Sequence, residues 1–460
     1  MLDMMNISKI LREALSGGGE FADIYFEEGA STSIVCEDDK IERVITGADR
    51  GAGIRVISDL RTWYAYTNEI TETSLLSLAK TVARAVKGNR FTGSIDMRTK
   101  VTGEGFLIDI PPDGIPLGNK VSLVNRANTA ARGLDPRIRQ VMVMYRDGKV
   151  RTQVVNSLGN FIETNRTGTV FVTQVVASDG QIMQTGYEPV GGGRGFEIFE
   201  THPPEQIALT AARRALMVLE ARKAPAGPMP VVLSSEAGGT MVHEAIGHGL
   251  EADLALTGLS VYKDKIGTRV ASSIVTVIDD ATIPHARGSF SFDDEGVPGQ
   301  RTILVEKGIL KSYMYDRLSA MKDGCASTGN GRRESYTSKP IARMSNTLIA
   351  PGETPHETII HGVERGLFVR KMGGGQVNTV NGDFVFDVSE GYLIEKGCIT
   401  EPVRGATLTG NGPEILMMVE KVGDDLGFGI GTCGKDGQGV PVSDAQPTLL
   451  ISEIVVGGEV

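Results

Sequence analysis

Hydrophobic positions in the first half of the chain switch repeatedly between a helical and an extended rhythm. Residues 7–15 read as a short amphipathic helix closed by Gly17, Gly18 and Gly19. Strand-like runs follow at 22–28, 32–36, 40–46, 52–58 and 62–67, separated by Gly, Ser and Asp. A second helix is predicted over 72–87, with Leu75, Leu76, Ala79, Val82, Ala83 and Val86 on one side of a 3.6-residue period. It would cover one face of the sheet formed by those strands.

The theme then repeats. A helix is expected over 120–132, strands at 140–145, 151–155, 161–164 and 169–176, and a further helix over 204–222. Runs of strands with flanking helices predict an α+β fold with an antiparallel sheet, not alternating βαβ units. Three prolines and a glycine within 223–230 break both helix and sheet and place a domain boundary there. The expected units are an N-terminal α+β domain over 1–225 and a β-rich domain over 226–460. The second holds short strands, Gly-rich turns and one helix, over 236–254, capped by Ser234 or Ser235.

Length agrees with two units, because single cores rarely grow past about 250 to 300 residues and the chain has 460. The net charge of -10 and the lack of any dense Lys/Arg run disfavour direct nucleic-acid binding. Asp3, Lys9, Arg12 and Glu13 interrupt the apolar positions of the N-terminus, unlike a secretion signal. No later stretch is apolar for the 18 or more residues of a membrane span, so a cytoplasmic location is expected. Cys36, Cys325, Cys398 and Cys433 are scattered, which predicts reduced thiols and leaves one free to bind metal. The 58 glycines imply many tight turns and close backbone approaches.

The 236–254 helix carries His243, Glu244 and His248. A histidine pair that holds a divalent metal, with a glutamate beside the first histidine to take a proton from water, is the machinery of metallopeptidases. Here the spacing is one residue longer than the familiar interval, and on a regular helix it would splay the two rings by about 140°. A π-bulge, with i to i+5 bonding, would return them to one side, and Gly247 and Gly249 ease that distortion. The same string recurs at His356, Glu357 and His361. That copy reads as a helix start instead, with Thr354 as cap, Pro355 in the first turn, Glu357 closing a capping box and His356 exposed.

Two histidines leave a metal site short of a third ligand. Cys433, in a glycine-rich loop beside Lys435, is the leading candidate; its other reading is a small buried hydrophobe. The string from Gly429 to Gly434 is formally GxGxxG, but no helix follows and Pro441 intervenes, so it does not read as nucleotide-binding.

Across essentially its whole length the chain resembles the TldD family of metallopeptidases, relatives of PmbA, also called the modulator of DNA gyrase family. The blocks that carry the likeness are HEAIGHGLEAD (243–253), DDEGVPGQ (293–300), TGNGRRES (328–335), GGGQV (373–377) and CGKDGQ (433–438). The resemblance implies that His243, His248 and Cys433 bind the metal, that Glu244 is the general base and that Asp253 completes the family pattern. It selects the first of the two copies. It also implies cleavage of unstructured peptides and a homodimer or a heterodimer with a PmbA-like subunit. PmbA-type relatives lack the metal motif, which points to the catalytic type of subunit here.

Asp253 reads as a carboxylate that orients a ligand histidine or as a surface group, with Glu251 a weaker candidate. Arg332 and Arg333 read as anchors for a peptide carboxylate or oxyanion, or as solvated loop charges. The glycines at 373–375 read as a place where a substrate strand could add, or as a turn. His202 and His285 read as loop histidines. Zinc is the expected metal, with iron and cobalt compatible with two imidazoles and a thiolate. The competing expectation is a noncatalytic peptide-binding or regulatory subunit.

Overall fold

The computed structural model describes residues 4–88, 93, 95–97, 99–103 and 105–458. The outermost residues of the two expected units, 1–3 and 459–460, lie outside them. The fold is mixed α+β and rich in sheet, as the sequence predicts.

Four strands of the N-terminal sheet are far longer than predicted: Phe21–Glu37, Lys40–Ser58, Ile138–Asn156 and Asn160–Ser178. The Gly, Ser and Asp residues expected to end strands instead sit within continuous ladders. At Gly51, and at Gly53 within the predicted 52–58 run, a side chain has no room. A Cβ on Gly51 would lie 2.1 Å from the Tyr336 ring, and one on Gly53 would lie 1.8 Å from the Tyr64 hydroxyl. The real turn between the first two strands is Asp38-Asp39, both with positive φ, as a two-residue hairpin requires. Arg61–Thr67 extends the sheet at one edge, but it pairs only with residues 52–58 of its neighbour. At the other edge Asn160–Ser178 has two partners, Thr99–Gly103 running parallel and Met183–Gly192 antiparallel. Neither of these was anticipated from the pattern.

Strand alternation assigns the faces. Ala22, Ile24, Phe26, Ile34 and Cys36 point to the helical side. The Met4–Ala14 and Glu72–Ala85 helices cover one end of it, and Leu117–Arg132 and Pro204–Glu220 cover the other. Asp23, Tyr25 and Glu27 point the opposite way, toward the C-terminal part of the chain. There Arg55, directly across the ladder from Asp23, bonds that carboxylate and also Glu295, 2.5 Å away. All three side chains are fully buried.

The C-terminal part contains a closed ring of strands. Gly227–Leu233, Leu449–Gly457, Thr407–Asn411, Asp383–Glu395 and Arg365–Val377 pair in succession, and the last returns to the first. Beside it lies a six-stranded sheet in which Asn346–Ile349 runs parallel to Gln438–Gln446, whose other neighbour is Gly427–Lys435. One core fills the space between ring, sheet and the His243 segment.

Residues 223–230 are not free of sheet, contrary to expectation. Arg222–Lys223 pairs with Cys398–Arg404, and Gly227–Leu233 is a ring strand despite Pro228 and Pro230. Pro230 is tolerated because the ladder opposite it is irregular between Ile451 and Ile454, where its missing N–H is not needed.

Replacing Arg55 with Ala would leave Asp23 and Glu295 buried without their cation. The expected cost is about 3–5 kcal/mol, read as a lower urea midpoint for unfolding. An unchanged midpoint would show that the triad does not tie the two parts together.

Candidate metal centre

The single helix expected over 236–254 is instead a series of short turns. Ser235–Ala237 is a 3-10 turn capped by Ser234, and Gly238 breaks the chain with φ 70. Gly239 lies so close to the Gln438–Gln446 strand that a Cβ would meet Ala445 N at 2.3 Å. Thr240–Val242 begins an α-helix, His243–Gly247 is π-helical, and His248–Leu250 tightens to 3-10. Glu251 is extended before Ala252–Thr257 resumes as α-helix.

The predicted i to i+5 geometry is present as a bond from the His248 N–H to the His243 carbonyl. Widening the turn changes which carbonyls are used, and Ala245 O accepts from the Tyr262 hydroxyl at 3.0 Å. The two glycines make close approach possible, Gly247 against the Met344 sulfur and Gly249 against the Tyr262 ring. The His243 and His248 rings consequently lie on one side, with centroids 5.0 Å apart and planes at 90°.

Cys433, 185 residues away in the Gly427–Lys435 strand, meets them there. Its sulfur is 3.5 Å from His248 Nε2, and one ligand atom from each of the three residues lies within 4.8 Å of the others. His248 Nδ1 is 3.0 Å from Glu251 Oε2, which holds a proton on Nδ1 and turns Nε2 toward the sulfur. His243 Nδ1 is buried without a hydrogen-bond partner, 3.9 Å from Asp444 Oδ2. Two imidazoles and a thiol converging on one point are a donor set that fits a divalent zinc, iron or cobalt ion.

Asp253 does not touch a ligand histidine. The residue that does is Glu251, the one given the weaker claim, because the extended Glu251 turns back beneath His248 while Asp253 opens the next helix. Asp253 Oδ1 instead accepts from Lys435 Nζ at 2.8 Å, and Lys435 also reaches Glu251 at 3.2 Å and Ala342 O at 2.6 Å. Arg343, fully buried, stands 3.7 Å from Glu251 and donates to the Cys433 carbonyl at 2.5 Å. The i, i+3 spacing of His248 and Glu251 was the available signal for this contact. Nothing in the sequence pattern pointed to Arg343, Tyr262 or Asp444.

These contacts set the protonation of the cluster. Burial opposes the Cys433 thiolate, but hydrogen bonds and charge from His243 and His248 outweigh it and bring the thiol down to about 5. Burial likewise opposes the Glu251 carboxylate, yet Lys435 and His248 hold it down at about 2. Glu244 is half-buried, and burial pushes its carboxyl above the ordinary range in spite of the two histidines. A carboxylate moved in that direction is a better proton acceptor.

Arg332 and Arg333 are neither solvated nor in a free loop. Arg332 donates to Met344 O at 2.6 Å and to Pro441 O at 2.7 Å, while Arg333 donates to Asp294 O at 3.0 Å and stacks over Tyr25. Both guanidinium groups tie strands together. Residues 373–375 lie in an irregular stretch of the Arg365–Val377 strand, already paired with Asp383–Glu395, so they are not an open turn.

In the second copy of the motif, Asp424 accepts from both the His356 backbone N–H and Nδ1, replacing the capping box expected from Thr354. The acidic neighbours of this exposed histidine are Asp424 and Asp425, and His361 is not part of that cluster. His285 bonds Gly193 O and His202 bonds Thr201, and neither belongs to the His243, His248 and Cys433 group.

Comparison with known proteins gives a consistent result. Residues 22–88 match the model for PmbA/TldA metallopeptidase domain 1, residues 110–219 its central domain and residues 226–458 its C-terminal domain. A metalloprotease TldD homolog of Haemophilus influenzae is 38% identical over 449 residues, covering 95% of this chain and 93% of the relative. A zinc metalloprotease TldD homolog of Saccharolobus solfataricus is 29% identical, covering 98% of this chain and all of that one. Among solved structures, a protein of Thermotoga maritima described as a modulator of a DNA gyrase superposes with a TM-score of 0.78. It is 24% identical and covers 95% of this chain and 96% of its own, a likeness of fold.

Two measurements address the cluster directly. In metal-free protein, thiolate absorbance lost in Cys433→Ser should titrate in as pH rises through about 5, where an ordinary thiol ionises near 9. A midpoint near 9 would contradict the imidazole contacts. Glu251→Gln should weaken metal binding by about 10- to 100-fold in a chelator competition, whereas the Asp253→Asn change should weaken it less.

Proposed function

The chain belongs to the PmbA/TldA metallopeptidase family, and from that premise we propose that it hydrolyses unstructured peptides or flexible protein segments with Glu244 as general base. The observation that supports this most directly is the meeting of His243, His248 and Cys433 within 4.8 Å, with Glu244 borne on the same π-turn. His243, His248 and Cys433 would hold one divalent metal. That metal, when bound, supplies Lewis-acid polarisation to the scissile carbonyl and to the attacking water.

The protein groups do the rest. Glu244 takes a proton from the water as its oxygen forms a bond to the carbonyl carbon. It returns that proton to the amide nitrogen as the C–N bond breaks, and the second water proton passes from the new carboxyl to the amine, so the products are a carboxylate and an ammonium group. Glu251 keeps His248 in the tautomer that presents Nε2, and Lys435 with Arg343 keeps Glu251 charged. Buried side chains around the cluster limit access of bulk water.

Zinc is the proposed metal. It suits the two-imidazole, one-thiolate set, and one relative is named as a zinc enzyme. The same reading assigns the chain two units, 1–225 and 226–460, a cytoplasmic location, and a dimer formed either with itself or with a PmbA-like subunit. Among the described residues no helix is long and apolar enough to cross a membrane.

Glu244→Gln should retain its metal and lose about 10²–10⁴-fold in the cleavage rate of an unfolded peptide. Retention of both metal and the wild-type rate would refute the role given to Glu244. Assaying the chain alone and mixed with a PmbA-like protein, with metal measured in each, separates a self-sufficient enzyme from one half of a pair.

A further inference from the structure

On the opposite face of the Cys433 strand lies a second concavity. Alternation along Gly427–Lys435 turns Ile430 and Thr432 away from the side on which Cys433 meets the histidines. On that other side Arg287 bonds Gly431 O at 3.0 Å and Thr432 Oγ1 at 3.2 Å. Arg287 forms part of the wall of a cleft of about 650 Å³ between the N-terminal sheet and the C-terminal part. None of His243, Glu244, His248 or Cys433 lines it.

Charge is unevenly distributed in this cleft. Arg146, Lys149, Arg166, Arg287, Arg332 and Arg333 all line it, in a chain whose net charge is -10. The acids among the lining residues are already engaged. Asp147 accepts from buried Lys120 and from the Tyr145 hydroxyl, each at 2.5 Å. Glu27 accepts from the Tyr25 hydroxyl at 3.0 Å, and burial pushes it up to about 7. Glu334 accepts from Gly439 N at 3.2 Å.

The cations are less well compensated. Arg166 has Asp294, 3.0 Å away, and the exposed Lys149 has Asp113 at 3.3 Å. Arg332 spends its donors on backbone carbonyls, which carry no countercharge, and Arg287 bonds only a carbonyl and a hydroxyl. The Arg146 side chain, exposed at the mouth, has no hydrogen bond or ion pair among the described residues, and its charge faces Arg287. Converging like charges over low-dielectric walls create a field that an anion relieves. Phe106, Leu107 and Phe290 add apolar wall between the cations, which suits a carboxylate carried on a chain with hydrophobic parts better than a small hydrated ion.

We propose that this cleft binds carboxylate-bearing, unfolded peptide segments at a place separate from the metal centre, with Arg146, Lys149 and Arg287 meeting the carboxylates. That the anion arrives on a peptide rests on the peptidase reading; that the cleft takes carboxylates does not. An acidic segment held there would be retained while another part of the same chain is presented for cleavage.

The test is fluorescence anisotropy on metal-loaded Glu244→Gln protein, which removes turnover from the measurement. The probes are a fluorescein-labelled twelve-residue Gly/Ser peptide carrying four glutamates and the same peptide with glutamines in their place. The acidic probe should bind at least about tenfold more tightly at low salt and lose that advantage as salt screens the charges. Adding Arg146→Glu and Lys149→Glu should remove the preference while leaving metal content unchanged, because both side chains are at the exposed mouth. Equal binding of the two probes, or an acidic preference that survives both charge reversals, overturns the proposal. Wild-type protein that cleaves neither peptide yet keeps an Arg146-dependent acidic preference would instead count against the peptidase reading and leave the cleft standing.

Discussion

One backbone hydrogen bond, from the His248 N–H to the His243 carbonyl, decides whether His243, His248 and Cys433 can meet. Had the turn closed at its usual width, the two imidazoles would diverge by about 140° and Cys433 could meet only one of them. The wide turn is costly in isolation, and the surroundings are arranged to hold it. Tyr262 bonds the Ala245 carbonyl, Gly247 and Gly249 admit Met344 and the Tyr262 ring, and Gly412 lies against the other side of Ala245. The irregularity is therefore imposed by packing, as strained geometry at functional positions generally is.

Around that turn the charges form a graded series. Cys433 and the histidines are joined to Glu251, Glu251 to Lys435 and Arg343, and Lys435 onward to Asp253. No member is left with its charge unanswered, which is the condition for keeping such groups away from water. Arg343 links this series to the Cys433 backbone as well, so Cys433 and the Glu251 carboxylate behind His248 share one support. On the far side of the same strand the balance is different, and cations face one another across an open cleft. The strand carrying Cys433 thus adjoins a compensated electrostatic environment on one side and a less compensated one on the other.

Much of this was legible in the residues and some was not, for identifiable reasons. Helices with a one-sided apolar stripe, such as Glu72–Ala85 and Pro204–Glu220, were readable because burial of that stripe is what stabilises them. The need for a wide turn at His243 was readable because residue spacing on a helix is arithmetic. The long strands were not, since Gly51 looks like a break until the Tyr336 ring is seen occupying the space above it. Pro228 and Pro230 misled in the same way, because a proline excludes a regular ladder but not an irregular one. The exchange of roles between Asp253 and Glu251 turned on a single extended residue, a backbone detail that side-chain type does not encode. The fates of Arg332 and Arg333 depended on strands brought together from elsewhere in the chain.

The closed ring of strands has a consequence for the order in which the protein can be made. Gly227–Leu233 emerges early, but its neighbour in the ring is Leu449–Gly457, and Cys433 too is made long after the two histidines. A growing chain holds the imidazole pair and Glu244 for most of the synthesis of this part without the third donor or the strand that closes the core around them. Cys433 and Leu449–Gly457 follow the histidine pair by nearly the whole of this part, so the three-residue cluster and the core around it can close only after both have been made.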